Sequence, residues 1–406
     1  MKWLDQKQRE VTLVPASGKN HLFRDLTNQN VSAGMISSTL VMTGPAAIIL
    51  EAASNGGFTA SQTINWMFAV YFFGGLFGII MPLLYKMPIT GGHSITGVAF
   101  LATVTHQFSY SQLIGGYVMS GLIIYLVGVS GFFTKIIKWV PKEVIASMLA
   151  GLVTGYVVRL IPAVEEMPLV GGVALIAFFI FTKYGRRFPP VMAAVLAAFL
   201  VLLWTHELNG ISEPIPFAFP SLQMPEFTWI GFFTLAVPLA LLILSNDAAP
   251  GIGALESAHF DPPIRKIISI SGIFSSFAAL FGGQSANIAG MMTAICADSE
   301  SGSKSKRYLA SVVSGIIIML FGIFAWKIAP FIQSLPTAFV SLLAGLALIG
   351  ALQSSLQAAF SRNQYRLSAL AAFVIALSNV SVFHISGPVW ALVCGAAIAW
   401  AIEKQR

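Results

Sequence analysis

Hydrophobic positions along this chain do not alternate with polar ones at a helical or strand period. They run together for about 20 residues at a time, the length an α-helix needs to cross a bilayer core. Such runs lie near 31–54, 62–85, 111–134, 141–161, 168–184 and 189–206, and again near 228–248, 263–281, 304–328, 336–360, 366–380 and 387–403. Two shorter helices complete the pattern. One lies at about 97–107 and is entered through 89–96; the other lies at about 287–297 and is entered through 282–286. The expected molecule is an all-α polytopic membrane protein of about fourteen crossings.

The two short segments share a polar, glycine-rich lead-in. Gly91-Gly92-His93-Ser94 returns as Gly282-Gly283-Gln284-Ser285, 191 residues later (282 − 91). Leu149-Ala150-Gly151-Leu152 follows Pro141 as Leu343-Ala344-Gly345-Leu346 follows Pro336, and Pro45 is matched by Pro238. The chain therefore reads as a tandem duplication. Glycine-interrupted apolar segments at corresponding places in two halves point to a transporter site, because irregular backbone at membrane depth is tolerated only where it lines a cavity or is buried in protein.

Composition sharpens the class. Of 406 residues 56% are hydrophobic and 10% charged, too few charges to cover a soluble surface. The net charge of +7 would elsewhere suggest nucleic acid, but the cations sit in short loops, as the positive-inside rule requires. If both short segments cross, 21 of the 23 Lys and Arg fall on one side, leaving Lys327 at an outer end and Arg159 within a helix. If the first did not cross, Lys135, Lys138 and Lys142 would face away from the basic tail. Both termini are thus expected in the cytoplasm. Seven crossings separate each element from its echo, and seven is odd, so the halves are expected as a 7+7 inverted repeat with the two short strand-helix segments at mid-membrane. The loop 207–227 has Glu207, Glu213, Glu226 and four prolines and no Lys or Arg, as an external loop should. The tail 1–28 lacks the apolar core and cleavage site of a signal peptide. Its Trp3, Leu4, Val11, Leu13, Leu22 and Phe23 either lie on the membrane surface or belong to a loose tail. Cys296 and Cys394 sit in apolar runs and offer neither a disulfide framework nor a metal set. No nucleophile elbow, metal-ligand pair or phosphate loop occurs, so an enzyme is not expected, and no cofactor.

Candidate chemistry gathers at the short segments. The stretches 91–97 (GGHSITG) and 282–290 (GGQSANIAG) leave backbone amides free at two helix starts, each carrying roughly +0.5 of a charge and suited to an anion. Close packing through small residues is the alternative. His93 is either a core histidine or a proton carrier. Asp247 ends the apolar run 235–244 in the sequence Ser245-Asn246-Asp247-Ala248-Ala249-Pro250; it is either a helix cap or an intramembrane carboxylate, which costs ~2.5 to 3.5 kcal/mol to insert and usually faces a cavity. A carboxylate held out of water also favours its protonated form, which suits proton loading. Glu51 belongs either to the membrane boundary or to a polar network in the cavity. Arg159 most simply snorkels toward Glu165 and Glu166.

The run from Leu235 to Glu300 (LAVPLALLILSNDAAPGIGALES…GGQSANIAGMMTAICADSE), with PKEVIASMLAGLVTG from Pro141 and the stretch from Pro336, resembles the bacterial benzoate:proton symporter family over nearly the whole chain after the tail. That family is similar in fold to the uracil and sulfate-permease transporters. The resemblance implies a core domain at 30–140 and 228–335, a gate domain at 141–207 and 336–404, and substrate held between the two short segments. By position it implies a substrate site of Gly92, His93, Ser94, Asn246, Gln284, Ser285, Ala286 and Asn287, with Asp247, Glu51 or His93 carrying the proton and Phe100 and Met291 facing the ring. The family pattern has an aromatic residue at His93, an amide at Asp247 and Gln at Glu51, so three ionisable groups are added around one cavity here. The implied function is proton-coupled import of a small aromatic carboxylate such as benzoate across a bacterial plasma (inner) membrane. The expected partners are an anionic or planar small molecule, the proton and the bilayer, with no nucleic acid and room for a homodimer. A nucleobase:proton symporter and an anion channel of the same fold are the alternatives.

Overall fold

The computed structural model describes residues 25–42, 44–133, 141–185, 189–205, 220–378, 380, 382 and 387–403. The tail 1–24, most of the loop 207–227, and Lys135, Lys138, Arg186, Arg187, Lys404 and Arg406 lie outside the described residues. In chain order the first half comprises α1 (Asn28–Met42), α2 (Gly44–Asn55), α3 (Ala60–Tyr85), β1 (Gly91–Gly92), α4 (Ile95–Leu101), α5 (Tyr110–Ser130), α6 (Lys142–Val158), α7 (Leu160–Glu166), α8 (Pro168–Tyr184) and α9 (Pro190–Thr205). The second comprises α10 (Trp229–Ser257), α11 (Ile264–Leu280), β2 (Asn287–Ile288), α12 (Gly290–Ala297), α13 (Tyr308–Ile323), α14 (Ala325–Gln333), α15 (Thr337–Ala359), α16 (Arg366–Ser378) and α17 (Gly387–Ile398). Among the described residues seven helices are long and apolar enough to cross a membrane, α1 and α2 together forming the first of them. Each of the fourteen predicted segments finds its helix.

Local chemistry sets the ends. Thr59 with Gln62, and Ser109 with Gln112, form capping boxes that satisfy the first amides of α3 and α5. Lys86 closes α3 in the left-handed conformation (φ 51°). Small residues let helices approach: a Cβ on Gly75 would lie 2.5 Å from the Gly315 carbonyl oxygen, so α3 and α13 meet backbone to backbone.

Two groups of helices emerge from the packing. In one, α5 lies on α11, α3 on α13, and α1 on α13. In the other, α6 lies on α15 and α16, α8 on α9, and α16 on α17. The groups meet chiefly where α15 packs against α2. Against α3 and α11 of the first group the two strands pair antiparallel, Gly91 opposite Ile288 and Gly92 opposite Asn287.

The second short segment differs from its sequence reading. Its extended residues are Asn287–Ile288, not the Gly282-Gly283 doublet, and its helix starts at Gly290. The N-caps of α4 and α12 are Ser94 and Ala289, 195 residues apart (289 − 94), the same interval that separates the N-caps Pro141 and Pro336 (336 − 141). The GGHS and GGQS echoes, at 191, are thus four residues out of structural register. Their glycines serve packing. A Cβ on Gly91 would fall 2.2 Å from the Gly74 carbonyl oxygen, and one on Gly283 would fall 2.8 Å from the Ala69 Cβ.

Candidate functional site

Asp247 lies well inside α10, ten residues before its end (257 − 247), so it is not the helix cap that the sequence left open. Its local backbone follows from proline. Pro250 has no N–H to give the Asn246 carbonyl, and Pro238 has none for Thr234. The helix widens into π turns at Phe232–Ala236 and Ile243–Ala248, just ahead of each proline. The second π turn carries Asn246 and Asp247. Gly290 closes on it, since a Cβ there would lie 3.2 Å from the Asp247 carbonyl oxygen and 3.0 Å from Pro250 Cβ. The start of α12 therefore abuts the widened turn of α10.

On the first short segment, Ser94 caps α4 by accepting from Gly97 N at 3.1 Å. Behind this lies a hydrogen-bonded polar frame, in which Asn287 Oδ1 has no partner among the described residues. Ser285 Oγ accepts from Ser94 N at 2.9 Å; Gln284 donates to the Ser94 carbonyl at 3.3 Å and accepts from Trp66 Nε1 at 2.6 Å. Ala286 N donates to Ser275 Oγ, and Thr90 exchanges bonds with Ala289, Thr293 and Ser311.

Where α4, α10 and α12 converge on α1, α6 and α15 there is a cavity of about 370 Å³. Three of the predicted residues line it: His93, Asn246 and Asp247. Each carries buried polar atoms without a protein partner among the described residues: both His93 ring nitrogens, Asn246 Nδ2 and Asp247 Oδ2. His93 is 1% exposed, with its ring edge-on to Tyr71 at 4.9 Å. Such groups are costly to leave unmade, and their gathering on one wall leaves hydrogen-bonding capacity open to a ligand. Gly92, Ser94, Gln284, Ser285, Ala286 and Asn287 do not line the cavity; they form the frame that holds its wall. Met291 lines it, whereas Phe100 is fully buried in the core. Glu51 is also away from the cavity and pairs with Arg159, which does not reach for Glu165 or Glu166 as the sequence suggested.

The opposite wall was missed. Leu149 of α6 and Ala347, Gly350, Ala351 and Ser354 of α15 complete it. The signal was present as small residues spaced three, four and seven apart from 347, one helical face. A larger crevice of about 890 Å³, lined by Ser32, Ile36, Ala294 and Ile295 among others, begins one helical turn further along α1 and α12. It lies toward the end of the molecule that bears Asn28 and Asp298.

A helical membrane protein with a cavity between two helix groups, walled by unpartnered polar side chains and one helical turn from a larger crevice, has the build of a membrane transporter. Solved structures share the fold. The transmembrane domain of the cyanobacterial bicarbonate transporter BicA is similar at a TM-score of 0.59 and 16% identity, covering 93% of this chain and 98% of that one. SLC26A9 is similar at 0.64 and 12%, covering 93% and 65%, and murine Slc26a9 in its inward-facing state at 0.60 and 12%, covering 98% and 73%. The chain belongs to the benzoate membrane transport protein family, whose model matches residues 24–401. It is 29% identical to the benzoate membrane transport protein of Acinetobacter baylyi, over 92% of this chain and 95% of that protein. It is 27% identical to the inner membrane protein YdcO of Escherichia coli, over 89% and 93%.

Proposed function

We propose that this transporter is a proton-coupled symporter for a small planar aromatic carboxylate such as benzoate, working in a bacterial plasma membrane with both termini in the cytoplasm. The observation that carries the reading is the convergence of His93, Asn246 and Asp247, with four unpartnered polar atoms, on one largely apolar cavity. The carboxylate would sit where the first-turn amides of α4 and α12, which have no partner within their helices, add favourable charge. Met291, Pro250 and Leu149 would cover the ring. Asp247 would take the coupling proton, because a carboxylate on a buried wall gains much by being neutral when no cation faces it. The family and the name of the Acinetobacter relative support the substrate.

In this reading the group with α3, α5, α11 and α13 is the moving core and the group with α6, α8, α9, α15, α16 and α17 is the gate. The inverted repeat is supported by the antiparallel strands and by packing that comes in mates: α5 on α11 answers α13 on α3, and α8 on α9 answers α16 on α17. The crevice reaching Asn28 and Asp298 would be the cytoplasmic entrance. Glu51 of the core and Arg159 of the gate would tie the external side shut.

Purified protein in liposomes with an inward proton gradient tests the function. Saturable accumulation of labelled benzoate, blocked by other aryl carboxylates and abolished by a protonophore, is expected. Uptake that does not saturate or ignores the gradient would contradict it.

A further inference from the structure

We propose that Gly350 sets the size limit of the substrate, its missing side chain being the slot that admits an aromatic ring; the proposal rests on the aromatic-carboxylate reading above. Glycine inside a helix is disfavoured relative to alanine by roughly 0.5 to 1 kcal/mol, so its presence usually has a packing reason. Along α15 that reason is visible at Gly345, where a Cβ would lie 2.5 Å from Leu160. Ala347, likewise, is kept small by α2, since a Cβ on Gly44 would fall 2.0 Å from its own. Gly350 has no such neighbour. A Cβ built there meets no atom within 4 Å, and its backbone does not adopt a positive φ. The space it leaves is the cavity itself, of whose wall it forms part.

A second observation ties this face to a ligand. His93, 1% exposed and with both ring nitrogens unpartnered, lines the same cavity from the opposite helix group. The cavity therefore has one wall that carries the unpartnered groups of His93, Asn246 and Asp247 and one, on α15, with a gap at Gly350 between Ala347 and Ser354. That combination suits a flat ring bearing a polar group at one edge. It also places the size filter on α15, away from the polar machinery, so ring substituents can be discriminated without altering how the carboxylate is held.

The test measures benzoate and 4-substituted benzoate affinity for the purified protein and for Gly350→Ala, Gly350→Val and Gly350→Phe. The control is Gly155→Phe, because a Cβ on Gly155 of α6 also meets nothing within 4 Å but that residue does not line the cavity. Expected is a graded loss following side-chain volume: less than about threefold for Ala and at least about tenfold for Phe, steeper for the 4-substituted acid, with Gly155→Phe unchanged. Should Gly350→Phe fold poorly, the Ala and Val members carry the same ranking. Unchanged affinity across the series, with benzoate still bound by the unsubstituted protein, overturns the role of Gly350 and leaves the substrate reading standing. Failure of the unsubstituted protein to bind any aryl carboxylate overturns both.

Discussion

At the residue scale, His93 separates a functional from a structural role. A core histidine earns its place through hydrogen bonds, but neither ring nitrogen of His93 has a partner among the described residues. Leaving such a group unmade costs about 1–3 kcal/mol. His93→Phe is therefore expected to leave the melting temperature of the ligand-free protein unchanged or higher while weakening benzoate binding at least about tenfold, roughly 1.4 kcal/mol. Thermal unfolding and titration on the same preparation check it; a lower melting temperature with intact binding would make His93 a structural residue. Gly283 is expected to behave the opposite way. Gly283→Val should lower folded yield, because Ala69 Cβ lies 2.8 Å from where its Cβ must go. From the sequence both glycine doublets read as ligand doorways, since a doublet that opens a binding cavity and one that lets helices touch use the same letters.

Elements show where the sequence was legible and where it was not. The lengths of the apolar runs located all fourteen segments because that signal sums over many residues. The start of α12 was misplaced because the GGQS match outweighed the three-dimensional register, which Ala289 and Pro336 keep at 195. The π turn at Ile243–Ala248 was also readable in principle, as Pro250 stands four residues after Asn246, yet a proline near a span end reads equally as a stop signal. Pro250→Ala restores the missing donor and should draw the turn back toward regular α-helix, re-aiming Asn246 and Asp247. Expected is unchanged or improved thermal stability with benzoate affinity reduced at least about tenfold. Retained affinity would mean that the π turn does not position the site.

In the whole molecule the proposed cycle moves two helix groups about a fixed cavity, with Glu51 and Arg159 joining them on the side away from the crevice. The pair is partly solvated, and such pairs contribute about 0.2–1 kcal/mol, so its loss should shift the balance of states by a factor of about 1.4 to 5. Arg159→Ala is expected to speed labelling of a cysteine placed at Ser354 by a membrane-impermeant reagent added outside. Exchanging the charges, Glu51→Arg with Arg159→Glu, should restore slow labelling. Equal rates in all three would place the pair outside the gating motion. The claim on which the rest depends is that Asp247 carries the proton that drives uptake. In proteoliposomes, Asp247→Asn should lose benzoate accumulation driven by an inward proton gradient while keeping benzoate counterflow at equal pH on both sides. Full gradient-driven accumulation by that variant would contradict it.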